Sequence, residues 1–228
     1  MNYEFFGESM PAATVRLAPG ESVYTQAGGM TWMTEGVQMA TNLRGGLGRA
    51  FGRMFSGESL FMATFTGSRP GDEVTFASTM PGEIRAFSIR PGYEIIAQKG
   101  AFLCADPSVQ LSTFFTRGIK GGLFGGEGFI LQKYTGEGTV LCELDGTVKE
   151  IDLAPGELLR VDSGNIAAFE SSVDYSAEMV KGFKNILFGG EGLFLSTLRG
   201  PGRVWLQTMT VSELAKRIVP FVPTSSSN

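Results

Sequence analysis

The chain has 228 residues and a mass of 24.4 kDa, with 32 glycines, 10 prolines, two cysteines and no histidine. That length suits one all-β domain of generous size, and 43% hydrophobic against 18% charged residues describe a globular chain. The missing histidine excludes Ser-His-Asp triads, Cys-His pairs and His-ligated zinc or iron centres. A net charge of -4 and a pI near 5.0 argue against a general nucleic-acid binder, which relies on Lys and Arg to displace counterions from phosphates.

In chain order, the opening Met1-Asn2-Tyr3-Glu4-Phe5-Phe6 has neither the basic nor the apolar region of a signal peptide. No apolar run approaches the ~20 residues of a membrane span. Cys104 and Cys142 are too few for a disulfide framework. A reduced, cytoplasmic protein is expected. An alternating strand, Val15-Arg16-Leu17-Ala18, then runs into Pro19-Gly20, and the same pattern returns at Phe87-Ser88-Ile89-Arg90-Pro91-Gly92 and Ile151-Asp152-Leu153-Ala154-Pro155-Gly156. Nine residues after each proline stands a glycine (Gly28, Gly100, Gly164), and eighteen after it a valine (Val37, Val109, Val173).

A second landmark follows each valine: Phe55-Ser56-Gly57-Glu58, Phe124-Gly125-Gly126-Glu127 and Phe188-Gly189-Gly190-Glu191. The first interval is three residues longer than the other two, so the first copy carries a short insertion. Each Gly-Glu leads into a β-rich run, Leu60 to Phe65, Phe129 to Tyr134 and Leu193 to Leu198. A glycine-bearing turn and a further strand follow: Glu73 to Phe76, Thr139 to Cys142 and Arg203 to Leu206. These pairs of strands read as hairpins, and Pro81-Gly82 and Asp145-Gly146 as further hairpin turns leading into the next copy. The pattern predicts an all-β fold of three internal repeats, about 13–83, 84–149 and 150–209, in a single domain over 1–222. Thr210-Val211-Ser212-Glu213 is a capping-box pattern that predicts one short helix over 211–219, stopped by Pro220, and a disordered tail over 223–228.

Three stretches carry a family resemblance: Gly121 to Glu143, Gly45 to Phe65, and Gly182 to Gln207, with its Gly-Gly-Glu-Gly and Gly-Pro-Gly-x-Val-Trp-Leu-Gln combination. They resemble bacterial members of the altered-inheritance-of-mitochondria family, over nearly the whole chain. The resemblance implies a fold like that of the tryptophan RNA-binding attenuation protein, a compact, barrel-like double-stranded β-helix present three times. It also implies homo-oligomers, with a homotrimer the expected size, and it supplies no catalytic residues to carry over. No Arg/Ser-rich amphipathic leader is present, so a bacterial protein is expected.

Glu58, Glu127 and Glu191 occupy equivalent positions, and around a pseudo-threefold axis their carboxylates would converge on a hard cation. The plainer reading has each carboxylate accepting backbone N–H bonds at a strand start, and no metal or cofactor is expected. Arg44, Arg49 and Arg53, in the glycine-rich insertion, form the most basic local stretch and the candidate contact for an anion or a membrane surface. Arg117 with Lys120, and Lys181 with Lys184, are weaker counterparts. Stable peripheral anchoring takes more than one such signal, so a surface loop is the favoured reading. Met30, Met33 and Met39 read as core or interface residues, and Cys104 and Cys142 as buried free thiols. Asp72 with Glu73, and Glu150 with Asp152, read as turn or exposed-face acids, with no opposed carboxylates for acid–base work. The sequence therefore predicts a non-catalytic, homo-oligomeric β-protein serving as a scaffold or partner-binding platform, its protein partner unspecified. The alternative is a module that holds a small ligand between repeats or protomers.

Overall fold

The computed structural model describes residues 1–26, 28–42, 62–114, 130–179 and 194–222. After β1 (Asn2–Phe6) the strands fall into three successive sets. The first is β2 (Ala12–Leu17), β3 (Ser22–Gln26), β4 (Trp32–Met33), β5 (Gln38–Asn42), β6 (Met62–Thr66) and β7 (Asp72–Ala77). The second is β8 (Gly82–Ile89), β9 (Ile95–Gln98), β10 (Phe102–Ala105), β11 (Val109–Phe114), β12 (Leu131–Gly136) and β13 (Gly138–Asp145). The third is β14 (Val148–Leu153), β15 (Leu158–Asp162), β16 (Ile166–Glu170), β17 (Asp174–Met179), β18 (Phe194–Arg199) and β19 (Gly202–Gln207).

All pairings among these strands are antiparallel. The strand orders are β1-β2-β7-β4, β5-β6-β3-β10-β13-β8, β11-β12-β9-β16-β19-β14 and β15-β18-β17. Adding six to each strand number of the first six-stranded sheet gives the order of the second. Each six-stranded sheet is thus three strands of one set continued by three strands of the next, joined at β3·β10 and at β9·β16.

The Pro-Gly turns form as their sequence dictates. Gly20, Gly92 and Gly156 have φ of 83°, 80° and 80°, the left-handed region in which a side chain is strained. The same hydrogen bond closes each turn: Glu21 N to Ala18 O, Tyr93 N to Arg90 O and Glu157 N to Ala154 O, all at 2.9 Å. Two expectations are corrected. The strand pairs expected as hairpins, β6 with β7, β12 with β13 and β18 with β19, do not pair with each other, and neither do the strands around Pro81-Gly82 and Asp145-Gly146. These turns carry the chain from one sheet to another. β7 pairs instead with β2, where Val15 and Val74 meet fully buried, and with β4. Nor do the described strands close into a barrel. Each set gives its β3-type edge to the next set's β4-type strand, so the sheets run on across the junctions and stay open.

The apolar interior follows the same logic. The first core, around Val15, Phe65 and Phe76, is completed by Leu103, Cys104 and Leu141 of the second set. The central core, around Phe102, Tyr134 and Cys142, takes Tyr24 from the first set and Ala168 and Trp205 from the third. The last core holds Phe169, Tyr175 and Leu198 with Ile96 and Leu131 of the second set. Sharing side chains across junctions lets each small unit bury more apolar surface than it could alone.

Helix α1 (Val211–Ile218) begins where the capping pattern places it, with Thr210 Oγ1 accepting from Glu213 N at 3.1 Å. A 3-10 turn, Val219–Phe221, continues it through Pro220. Neither element buries a residue, and Val211, Ile218, Val219 and Phe221 are exposed. Further 3-10 turns at Lys99–Ala101 and Ser163–Asn165 carry β9 into β10 and β15 into β16, which the sequence did not reveal.

Candidate ligand-binding cleft

Glu58, Glu127 and Glu191 lie outside the described residues, as do Arg44, Arg49, Arg53, Arg117, Lys120, Lys181, Lys184 and the 223–228 tail. The strand pairs on either side of the three stretches are described: Asn42 faces Met62, Phe114 faces Leu131 and Met179 faces Phe194. Of the methionines, Met30 packs on the first core, whereas Met33 and Met39 are exposed. Cys104 and Cys142 are free and buried, as expected. Burial pushes both thiols up, Cys142 to about 12.

One acid departs from its expected place. Asp72 is buried rather than exposed, and its carboxylate accepts from Ser68 N at 2.8 Å, Arg69 N at 3.0 Å and Thr34 Oγ1 at 3.1 Å. Burial acts to raise its pKa, but these hydrogen bonds outweigh it and hold the carboxyl below its usual value. It is a turn-fixing residue. Among the described residues no group of three His, Cys, Asp or Glu side chains is placed to hold a metal ion.

The site that stands out lies between the second and third sets. The turn position held by Glu21 and Glu157 in the outer sets is Tyr93 in the middle one. Those glutamates fold back on their own turns, Glu21 Oε2 accepting from Ala18 N and Glu157 Oε2 from Ala154 N. Tyr93 instead reaches across the junction and donates to Glu170 Oε1 at 2.9 Å. The Arg90 guanidinium sits 5.2 Å from the Tyr93 ring centroid. Burial, and then the Glu170 carboxylate, push the Tyr93 hydroxyl up in pKa, so it stays protonated.

Around this residue opens a cleft of about 350 Å³, lined by Arg85, Arg90, Tyr93, Glu150, Arg203 and Trp205 among others. Phe87 and Trp205 meet edge to face at 4.9 Å. Arg85 bonds Glu83 at 2.8 Å and Glu150 at 3.0 Å, and Arg203 bonds Asp152 at 2.7 Å and lies 3.6 Å from Glu150. The Asp152 carboxylate raises the Arg203 pKa further, so that charge is permanent. Arg85 Nε is buried with no hydrogen-bond partner. Guanidinium groups beside aromatic faces suit a planar or anionic ligand. The lining presents guanidinium groups, a carboxylate, a protonated phenol and an indole. Sequence reading missed this cleft, although Tyr93 standing where both other turns have glutamate was a legible signal.

Fold and cleft together define an all-β protein of successive, edge-joined strand sets with a short C-terminal helix. Residues 3–209 match the family model described as mitochondrial biogenesis AIM24, and the chain belongs to that family. It is similar to the streptococcal protein "Uncharacterized protein M6_Spy0233" of Streptococcus pyogenes serotype M6, with 34% identity over 226 residues, covering 95% of this chain and 89% of the relative. It is also similar to the crystal structure of protein SPYM3_0169 from Streptococcus pyogenes, with a TM-score of 0.79 and 27% identity, covering 97% of this chain and 99% of the other. No helix among the described residues is long and apolar enough to cross a membrane.

Proposed function

We propose that this protein is a non-catalytic, homo-oligomeric platform that works by assembly in the cytoplasm. The observation that supports this reading is an exposed aromatic pair on the four-stranded sheet, where Phe6 of β1 lies 6.1 Å from Trp32 of β4. An exposed aromatic pair of this kind is the usual mark of a protein-facing surface. Two buried free thiols agree with a reducing compartment. Light scattering at micromolar concentration tests the reading: a mass that is a multiple of 24.4 kDa is expected, a trimer being the favoured size, and a monomer at every concentration contradicts it.

A second reading rests on the cleft, where the unpartnered Arg85 Nε and the Tyr93, Arg90 and Trp205 side chains would hold a small anionic or planar ligand between two strand sets. A thermal-shift screen over amino acids and nucleotides tests it, since a ligand at 100 times its Kd adds about 2.7 kcal/mol. Stabilisation that disappears in Arg90→Ala supports the reading, and no shift with any compound contradicts it.

A further inference from the structure

Strands β4, β10 and β16 hold the same place in the three sets, each paired with a buried valine of its neighbour: Met33 with Val74, Ala105 with Val140, Phe169 with Val204. In the second and third sets the other edge of this strand is taken. Ala105 pairs with Tyr24, Phe169 with Ile96, and Ala168 with Ala97. These junctions are sealed by further contacts. Tyr24 Oη donates to Val109 O at 2.9 Å, and Gln98 Nε2 donates to Ile166 O at 2.7 Å. Their central residues, Cys104, Ala105, Ala168 and Phe169, have 0% exposure.

In the first set this edge is unpaired among the described residues. Trp32 and Met33, which match those buried residues one for one, are 52% and 36% exposed. Among the described residues the complementary edge, in the third set, is also unpaired. β15 is the third-set counterpart of β3 and β9, yet among the described strands it pairs only with β18. Arg160 stands five residues after Pro155, as Tyr24 does after Pro19 and Ile96 after Pro91. The chain therefore ends in two halves of a junction that it has already made twice.

Resting on the reading of the protein as a homo-oligomer, we infer that β4 of one copy pairs with β15 of a second copy. The register follows from the internal junctions: Met33 opposite Arg160, Trp32 opposite Val161 and Thr34 opposite Leu159. The contact is heterologous, since one copy offers β4 and the other β15, so assembly proceeds head to tail, into a ring where the rotation closes and an open filament where it does not. The occupant is a second copy because both halves of the junction are present on this chain, and the internal register sets Trp32 against Val161 and Thr34 against Leu159. Trp32 and Met33 take the buried places of Ala168 and Phe169, and the stem of Arg160 lies along Met33 where Ile96 meets Phe169. Two strand edges left unpaired among the described residues are otherwise a site for edge-to-edge association, which pairing them removes.

Cysteine cross-linking tests the inference. Met33→Cys and Arg160→Cys are purified separately, mixed and mildly oxidised. Directly opposed residues in an antiparallel pair have Cα atoms ~4.5–5.5 Å apart, inside the range a disulfide spans. The expected result is a disulfide-linked two-chain product from the mixture and none from either variant alone. Trp32→Cys with Val161→Cys should behave likewise, and Met33→Cys with Leu158→Cys, two positions out of register, should link far less. The buried Cys104 and Cys142 stay silent. Absence of the mixed product in both in-register pairs overturns the inference. So does equal linking out of register, or a purely intrachain bridge when Met33→Cys and Arg160→Cys share one chain. Light scattering on the unmodified protein separates the two failures: an oligomer without the cross-link removes only the β4·β15 assignment, whereas a monomer removes the assembly reading as well.

Discussion

Phe169 and Met33 occupy the same position in two strand sets, yet the structure assigns their truncation different consequences. Phe169 has 0% exposure, stacks on Tyr175 at 5.4 Å and meets Phe114 edge to face at 6.1 Å. Removing a fully buried ring costs its transfer free energy and leaves a cavity, together about 3–5 kcal/mol for Phe→Ala. For a chain of this length each kcal/mol moves Tm by ~2–4 °C, so Phe169→Ala should unfold ~6–20 °C below the parent. Met33, on the β4 edge left unpaired among the described residues, has little left to lose inside one chain, and Met33→Ala should cost under ~1 kcal/mol when the protein is dilute. Its effect belongs to assembly, so light scattering should show weaker oligomers while calorimetry of the diluted protein shows a near-parental Tm. Differential scanning calorimetry over a concentration series reads both. A Phe169→Ala variant within ~2 °C of the parent would refute the shared-core argument. Dilute Met33→Ala as unstable as Phe169→Ala would refute the claim that this edge is unpaired within the chain.

Three other expectations follow from particular side chains. Half-buried Asp145 is pushed up to about 6, first by burial and then by the Glu143 carboxylate. The folded state therefore holds this proton more tightly than the unfolded one, and the resulting stability is full below ~pH 4 and lost as pH rises through about 6. Asp145→Asn should raise Tm at pH 7 by a few degrees, about 1 kcal/mol after solvent screening, with a smaller gain at pH 4.5; a lower Tm at pH 7 contradicts this. In the third core Ser196 Oγ lies 2.7 Å from Ser163 Oγ and donates to Tyr175 Oη at 3.0 Å. Tyr175→Phe leaves that buried donor without its acceptor and should cost about 1–3 kcal/mol in urea denaturation; an unchanged midpoint contradicts it. Cys104 and Cys142, buried and raised in pKa, should resist a thiol reagent at pH 8 until denaturant is added, and rapid labelling of the native protein would contradict their burial.

The sequence announced the turns more clearly than the pairings. Gly20, Gly92 and Gly156 each need positive φ, and a Pro-Gly pair declares that need locally. The Thr210 cap was legible for the same reason, because its donor and acceptor lie three residues apart. Which strand β6 or β7 would meet was not local. A glycine turn says that the chain reverses, but the partner is decided by which apolar faces bury together, as Val15 with Val74. Asp72 was misread because an acid in a Gly-Asp-Glu turn looks solvated, while its hydrogen bonds come from Thr34, far away in the chain, as well as from the turn itself. The cleft was hidden in a single departure, Tyr93 for glutamate, whose meaning depends on Glu170 lying across the junction. The two unpaired edges were not legible as such, since Met33 read as a core or interface residue with nothing to say which.

The central claim, that β4 and β15 are joined between copies, is read most directly by hydrogen exchange of their backbone amides. The β4 and β15 amides that point away from β7 and β18 should exchange slowly at high protein concentration and quickly on dilution, while Thr31 and Thr34, which donate to Thr75 O and Glu73 O, stay protected throughout, as do β10 and β16. Fast exchange of those outward amides in both strands at every concentration, equal to that of an unpaired strand edge, would contradict the account.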